Sequence, residues 1–425
     1  MTLDRTGDLA PSHRREPWRG RVVLVLATST GGIGTHVREL ARGLSAAGAA
    51  VTVCGPPATN QRFAFDAPTG PAGGSGGRVD FLPVEVSAGP HPSDARAVAA
   101  LRAALARVRP DVVHAHGLRA GLVASLAGRW RAASGVAVAR RVAARYPLVV
   151  TLHNAVIARG VRGSASRLAE RVVARTADVV LGASADLVAS ALAAGAADAR
   201  LGPVAAPVLP PAARTRAAVR AELGAGAGTP LLLSVGRLHP QKGYDLLVSA
   251  AARWRDRSPA PAVVIAGDGP GFLALAARIS ATRAPVTLLG HRDDVADLLA
   301  AADLAVVTSV WEARQLFVQE ALRAGVALVA TAVGGIPDLV GAAAVLVPPG
   351  DVDALDTAVR GLLDDPAARA RYARAGPERA ATWPTTAQTL AQVRGVYREL
   401  TATPDPGAGR PEAGRPDPHR SGGRP

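Results

Sequence analysis

Short runs of Val, Leu and Ile recur along this chain, each followed by a longer Ala/Leu/Arg stretch whose apolar residues return at helical spacing. A run that is apolar at every position suits a strand covered on both faces, and the amphipathic stretch after it suits a crossover helix. In the first half the pattern predicts strands at 21–27, 50–54, 79–83, 111–115, 148–152, 178–183 and 204–208. The second half repeats the rhythm at 231–235, 262–266, 286–289, 303–308, 327–331 and 344–347, with a last helical stretch at 385–400. Strand and helix alternating in this way build parallel sheets, so the expected fold class is α/β with two doubly wound domains.

Punctuation suggests the boundaries. The segment from Ala205 to Thr215 carries three prolines and interrupts the alternation near the midpoint, as an interdomain linker does. The expected division is a polar tail at 1–20, one domain at 21–208, a second at 209–384, a closing helix at 385–401 and a Pro/Gly/Arg-rich tail at 402–425. Both tails have too little apolar surface to fold. A Gly-rich stretch from Pro68 to Gly77 reads as a loop on the first domain.

Composition narrows the classes of function. With 425 residues, 48% hydrophobic and 20% charged, the chain supports two substantial cores and is not a disordered polymer. Aromatic residues at 3% argue against a base-stacking surface, and no nucleic-acid partner is expected. One cysteine, Cys54, excludes an internal disulfide and any Cys-cluster metal site, and fits a reducing compartment. The opening residues lack the apolar core of a signal peptide, and no apolar run reaches membrane-spanning length, so a cytoplasmic protein is expected. The net charge of +15 favours anionic partners in general without choosing among them. Every cationic side chain is Arg except Lys242. A single lysine in so Arg-biased a chain marks a position where geometry matters.

In open α/β sheets, ligands bind beyond the carboxyl ends of the strands. After the first strand come Gly31, Gly32, Ile33, Gly34, Thr35 and His36, leading into a helix whose amides could approach an anion. A dinucleotide fingerprint fails there, because Val37 stands where the third glycine belongs and the second strand ends Val53-Cys54-Gly55 without a ribose-binding acid. The fourth strand ends His114-Ala115-His116 and the fifth Thr151-Leu152-His153. Alternation puts His114 and His116 on one face, where a neutral imidazole can hydrogen-bond a sugar hydroxyl. No zinc site is expected without a third convincing ligand. In the second half, Gly236-Arg237-Leu238-His239-Pro240-Gln241-Lys242-Gly243 follows a strand and pairs a planar cationic fork with a mobile point charge, a combination suited to a diphosphate. Gly267, Asp268 and Gly269 open a further strand-to-helix turn, and Glu312 and Glu320 stand eight positions apart after the strand at 303–308. A helix-borne carboxylate such as Glu320 can accept both hydroxyls of a ribose. Asp351-Val352-Asp353 reads as a helix cap, not a metal motif.

Taken in order, G-G-I-G-T-H-V at 31–37, H-A-H at 114–116, T-L-H at 151–153, G-R-L-H-P-Q-K-G at 236–243, A-G-D-G-P at 266–270, E-A-R-Q-L-F-V-Q-E at 312–320 and G-G-I-P at 334–337 resemble the retaining glycosyltransferases of the GT-B fold, family 4, over about residues 21–400. The resemblance implies two Rossmann-like domains facing a cleft, with residues 385–400 crossing back onto the first. It implies a nucleotide-diphosphate sugar, UDP- or GDP-linked, as co-substrate on the second domain, no other cofactor, no metal, and a hydroxyl acceptor on the first. The acceptor could be a small molecule, a glycan or a lipid-linked group. By matching positions, Arg237 and Lys242 would hold the diphosphate, Glu320 the ribose and Glu312 the donor sugar. His116 and the Gly32 loop would face the reacting centre. Gly34, Gly236, Gly267 and Asp268 would complete the donor site, with Gly31 and His153 on the acceptor side. The family carries Gly or Pro, an aromatic and a small residue after the first glutamate, whereas Ala313-Arg314-Gln315-Leu316 stands here. Arg314 would then add a cation beside the diphosphate or fill the sugar's space. Asp338 replaces the family's usual Glu, and its N-G-V-D linker is missing.

Two other readings compete. A nucleotide-sugar 2-epimerase shares the two-domain architecture, though it fits the G-R-x-x-x-x-K-G run less well. A non-catalytic protein for anionic surfaces would use Arg129, Arg131, Arg140, Arg141 and Arg145. The same segment could instead dock a transferase on anionic lipid at the inner face of a membrane.

Overall fold

The computed structural model describes residues 18–402 except 30, 68–77, 88, 90, 92, 130–145, 157–159, 203, 206–207 and 227. The expected loop from Pro68 to Gly77, the basic residues from Arg131 to Arg145, and most of both expected tails therefore lie outside the described residues.

Strands and helices alternate as the apolar runs predict. The first unit runs β1 (Arg21–Leu26), α1 (Gly32–Ala46), β2 (Ala50–Gly55), α2 (Pro57–Phe63), β3 (Val79–Pro83), α3 (Asp94–Val108), β4 (Val112–His116), α4 (Leu118–Arg129), β5 (Leu148–Leu152), α5 (Gly160–Thr176), β6 (Val179–Gly182), α6 (Ala185–Ala193) and β7 (Ala199–Leu201). The second runs α7 (Arg216–Glu222), β8 (Leu231–Val235), α8 (Tyr244–Ala252), β9 (Ala262–Ala266), α9 (Phe272–Thr282), β10 (Val286–Gly290), α10 (Val295–Ala301), β11 (Leu304–Val307), α11 (Leu316–Arg323), β12 (Leu328–Thr331), α12 (Ile336–Val340), β13 (Val345–Val347), α13 (Val352–Asp364) and α14 (Pro366–Ala381). A closing helix, α15 (Thr386–Thr401), follows.

The first sheet has the order β3-β2-β1-β4-β5-β6-β7 and the second β10-β9-β8-β11-β12-β13, with parallel pairing throughout both. In each sheet the winding reverses beside the first strand, between β1 and β4 and again between β8 and β11. Such reversals of strand order mark the place, outside the carboxyl ends of the strands, where ligands of open α/β sheets bind. Apolar side chains cover both faces of both sheets, which is why the strands read as unbroken Val/Leu runs.

Helix α15 belongs to the first unit's packing although it follows the second in sequence. Val393, Val396 and Tyr397 join the core beneath β1 and β4. Arg200 pairs with Glu399 at 2.7 Å, and Gln392 donates to the Leu201 carbonyl at 2.6 Å. A capping box between Thr385 and Gln388 sets where this helix starts. Asp351 likewise caps α13 through the amide of Ala354, as read from the sequence.

Two expectations are corrected. No strand forms at 204–205 or 208; the seventh strand is Ala199–Leu201, paired to β6. Pro203 precedes the expected run and Pro207 falls within it, and neither supplies a ladder donor. The expected tail at 1–20 extends too far, because Trp18 is buried edge-on against Tyr397, ring centres 5.0 Å apart, and donates to Thr401 Oγ1 at 3.0 Å. None of the helices among the described residues is long and apolar enough to cross a membrane.

Candidate active site

At the end of β8 the chain passes through Gly236 and Arg237 into a 3-10 turn at Pro240–Lys242, opened by His239, whose Nδ1 accepts from the Gln241 amide at 3.2 Å. This turn is bound to the end of β11. Val310 N donates to Gln241 O at 2.7 Å, Gln241 Nε2 to Trp311 O at 2.9 Å, and Thr308 Oγ1 to Lys242 O at 3.1 Å. Gly243 lies at φ 62°, and a Cβ there would stand 2.1 Å from Thr308 O, so only glycine lets the two loops touch.

Those contacts aim Lys242 at Glu312. Its Nζ donates to Glu312 Oε1 at 2.6 Å, and Ser309 Oγ donates to the same oxygen at 2.9 Å. Glu312 is buried, so the pair is a charge-assisted bond held on a fixed frame. Behind it, buried Tyr244 donates to the Gly236 carbonyl at 3.1 Å. The A-G-D-G-P turn is joined to the same loop: Leu238 N donates to Asp268 O at 2.8 Å, and a Cβ on Gly267 would come within 2.1 Å of Gly236 O. The side chains of Arg237 and Asp268 are exposed at the mouth of these turns, and the Arg237 charge is felt by His239, whose pKa it helps burial to lower.

Glu320 lies on α11, beyond the Glu312 loop. Burial pushes its carboxyl up to about 7, against the pull of Arg323. The Gly334-Gly335 turn holds the Glu312 loop from the other side. Gly335 N donates to Glu312 O at 2.8 Å, and Gly334, at φ 51°, would bring a Cβ within 2.1 Å of that carbonyl.

Arg314 is held by contacts at the linker and beside the closing helix. Its Nε donates to Val204 O at 3.1 Å and its guanidinium lies 5.7 Å from the centre of the Trp383 ring, against the segment that leads into α15. Burial, with Arg323 and Arg379 close by, lowers its pKa to about 10.

On the facing edge of the first unit, Gly32 lies across from α11, where a Cβ would stand 3.3 Å from Leu316 Cδ1. Around Gly31 there is open space. Gly34 has a different reason to be glycine: a Cβ would collide with the Phe63 ring at 2.2 Å, so its Cα faces the α2 packing. Trp311 Nε1 donates to Asp186 Oδ2 at 2.8 Å, Ser184 Oγ bonds the other oxygen of that carboxylate at 2.5 Å, and a Cβ on Gly335 would meet Ser184 Cβ at 2.6 Å. The ends of the two sheets thus meet around Trp311.

The histidines gather as the alternation predicts. His114 and His116 share a face, ring centres 4.2 Å apart. His114 is bonded at both nitrogens, to Tyr397 Oη at 2.6 Å and Thr151 Oγ1 at 2.7 Å. His116 Nδ1 stands 3.4 Å from His153 Nε2. Burial lowers the pKa of His36 to about 4 and of His114 to about 3, and holds His116 and His153 well below the usual imidazole range. All four are neutral at pH 7. His36, Ser309, Asp186 and Tyr397 were not singled out from the sequence. Only His36 carried a signal, as the residue that ends the glycine-rich turn.

Comparison with known proteins agrees with this architecture. Residues 31–207 match the glycosyl transferase 4-like domain and residues 229–365 the glycosyl transferases group 1. The glycogen synthase of Mycobacterium tuberculosis is 37% identical over 188 residues, 42% of this chain and 45% of that protein. The 2-deoxystreptamine N-acetyl-D-glucosaminyltransferase of Streptomyces fradiae is 33% identical over 278 residues, 60% of this chain and 63% of that one. The matched stretches thus span about half to three fifths of these relatives. Among solved structures, Anabaena HepE in complex with UDP-glucose superposes with a TM-score of 0.70 at 19% identity, covering 90% of this chain and 100% of that one. Two parallel sheets meeting at their carboxyl edges, a helix crossing back, and both domain matches in order place the chain among the group 1 glycosyltransferases of GT-B fold.

Proposed function

We propose that the protein transfers a hexose from a UDP- or GDP-sugar to an acceptor hydroxyl with retention at the anomeric carbon. The observation that carries this reading is the Lys242–Glu312 pair, 2.6 Å long and bonded between the ends of β8 and β11. Breaking a sugar–phosphate bond loads negative charge onto the leaving diphosphate, and catalysis requires donors already aimed at that charge. Lys242 carries three N–H donors, of which Glu312 engages one. The others, with the exposed Arg237 fork, are suited to the diphosphate without a metal ion on it. Glu312 would hold the donor sugar's hydroxyls, Glu320 the ribose, and Gly236, Gly267 and Asp268 the turns against which the nucleotide lies. His116 and the Gly32 loop would face the reacting centre, and Gly31 and His153 the acceptor, as a small molecule, a glycan or a lipid-linked group. The UDP-glucose held by the Anabaena structure and the transferase names of the relatives support a nucleotide-sugar donor. A cytoplasmic setting with docking on anionic lipid belongs to the same reading.

The test is incubation of the full chain with radiolabelled nucleotide sugars and a panel of hydroxyl acceptors, with NMR of the anomeric proton in the product. Product of the same anomeric configuration as the donor is expected. Nucleotide release unchanged in a Lys242→Ala, Glu312→Ala double variant would count against the site. Exchange of the sugar C2 proton with deuterated solvent, without any acceptor, would favour epimerisation over transfer.

A further inference from the structure

From the side chains at the carboxyl end of the first sheet, we infer that His36, His116 and His153 form a binding site for one first-row divalent metal ion, of which Zn²⁺ and Co²⁺ are the apt probes. The three rings make a nearly equilateral triangle, with centres 5.5, 5.5 and 5.6 Å apart. One nitrogen from each can be chosen so that all three lie within 4.8 Å of one another. Nitrogen bonds of about 2.0–2.1 Å to a tetrahedral ion place ligand nitrogens about 3.4 Å apart. His116 Nδ1 and His153 Nε2 already stand at 3.4 Å, and a His36 nitrogen completes a set lying within 4.8 Å.

Three features beyond spacing point to an ion. The first is the protonation state: a metal takes the lone pair of neutral imidazole, and all three rings are neutral across the physiological range. The second is availability: neither His116 nitrogen is tied to a group outside the cluster, since Nδ1 faces only His153 Nε2 and Nε2 has no hydrogen-bond partner, so that ring has a lone pair to give an ion. The third is what surrounds the triangle. His114, the fourth ring of the cluster, has both nitrogens engaged by Tyr397 and Thr151, so it is not a ligand; it packs 4.2 Å from His116 and fixes that ring's plane. His36, the fifth residue of α1, is half-buried and so keeps a side toward solvent. Three nitrogens on a small ion leave a fourth position open, and imidazole sets of this kind favour Zn²⁺, Co²⁺, Ni²⁺ and Cu²⁺ over Mg²⁺ or Ca²⁺. In the sequence only the strand-end histidines stand out as a pair of ligands, because the third comes from a helix. Lys242 and Glu312 take no part in the site, whereas His116 and His153 also stand in the proposed acceptor region, so the ion is read by absorption and dialysis and not by turnover.

The test uses the full chain without an affinity tag, stripped with chelator and titrated with Co²⁺. One equivalent should bind, with the visible absorption of a nitrogen-ligated, low-coordinate Co²⁺, and Zn²⁺ should displace it. The single variants His36→Gln and His116→Gln, each shown folded by circular dichroism, should lose that absorption and the dialysis-measured equivalent. His291→Gln, altering an exposed histidine of the second unit, should keep both. Absence of the spectrum from the unaltered chain, or its persistence in both His36→Gln and His116→Gln, would overturn the assignment. Should His116→Gln fail to fold, His36→Gln decides alone, since its position is half-buried.

Discussion

The chemistry of the proposed reaction rests on side chains whose surroundings differ sharply. Lys242 is a point charge fixed by its bond to Glu312, while Arg237 is exposed on the same loop. Removing a preorganised donor from a developing oxyanion costs about 10² to 10³ in rate. Lys242→Ala should therefore lower kcat by about that factor, with little change in donor affinity, measured by steady-state assay and by calorimetry with UDP and GDP. A loss confined to KM would mean that Lys242 binds without stabilising the leaving group. Glu320 gives a prediction of opposite character. Its carboxyl titrates at about 7, and the ionised form is the one that accepts two hydroxyls. Affinity for the nucleoside diphosphate should rise as pH goes from 6 to 8, and Glu320→Gln should flatten that profile. An unchanged pH dependence in the variant would remove Glu320 from the ribose site.

At the scale of elements, the site is an arrangement of turns that touch backbone to backbone. Gly243 sits under Thr308, Gly267 under Gly236, and Gly334 under Glu312, each with room for a Cβ only at about two ångströms from a carbonyl oxygen. Gly243→Ala adds both a clash and a left-handed backbone, and should destabilise the second unit by about 1–3 kcal/mol. It should also weaken nucleotide binding, because the shifted turn no longer aims Lys242; urea unfolding and calorimetry check the two parts separately. Much of this was legible beforehand, because strands covered on both faces print continuous Val/Leu runs and strand ends locate themselves. The edge strand Ala199–Leu201 was not legible, being three residues long with one apolar branched side chain among them. Nor was the course of Arg314, which leaves the loop for the Val204 carbonyl and Trp383, residues far away in sequence. His36 was visible as a letter but not as a neighbour, since its position opposite His116 and His153 depends on how α1 rotates against the sheet.

The whole molecule pays for its neutral histidines in acid. His36, His114, His116 and His153 stay unprotonated in the folded chain well below pH 6.5, whereas the unfolded chain takes up those protons near pH 6.5. The unfolded state then holds more protons, and stability falls as pH falls, by up to about 1.4 kcal/mol per pH unit for each such group. The fall should begin near pH 6.5 and level off for His36 only near pH 4 and for His114 near pH 3, where the folded forms at last protonate. Glu320 works in the other direction, because its folded carboxyl binds a proton at about pH 7, above the value of a free glutamate, so it gains stability as pH drops. One group against these four, with His239 acting in the same direction as the four, leaves a net loss. The consequence reaches beyond the first sheet, because His114 is bonded to Tyr397 on α15, the helix that follows the second unit and returns to the first. Protonating this cluster therefore loosens the crossing-back helix along with the sheet. Urea unfolding at pH 7.5, 6.5, 5.5 and 5.0, a window above most carboxylate titration, should show a steadily falling midpoint, and His36→Gln should reduce the slope by about one group's share. A midpoint constant across that range would mean that the four rings are solvated and charged, which is incompatible with the packing that brings them together.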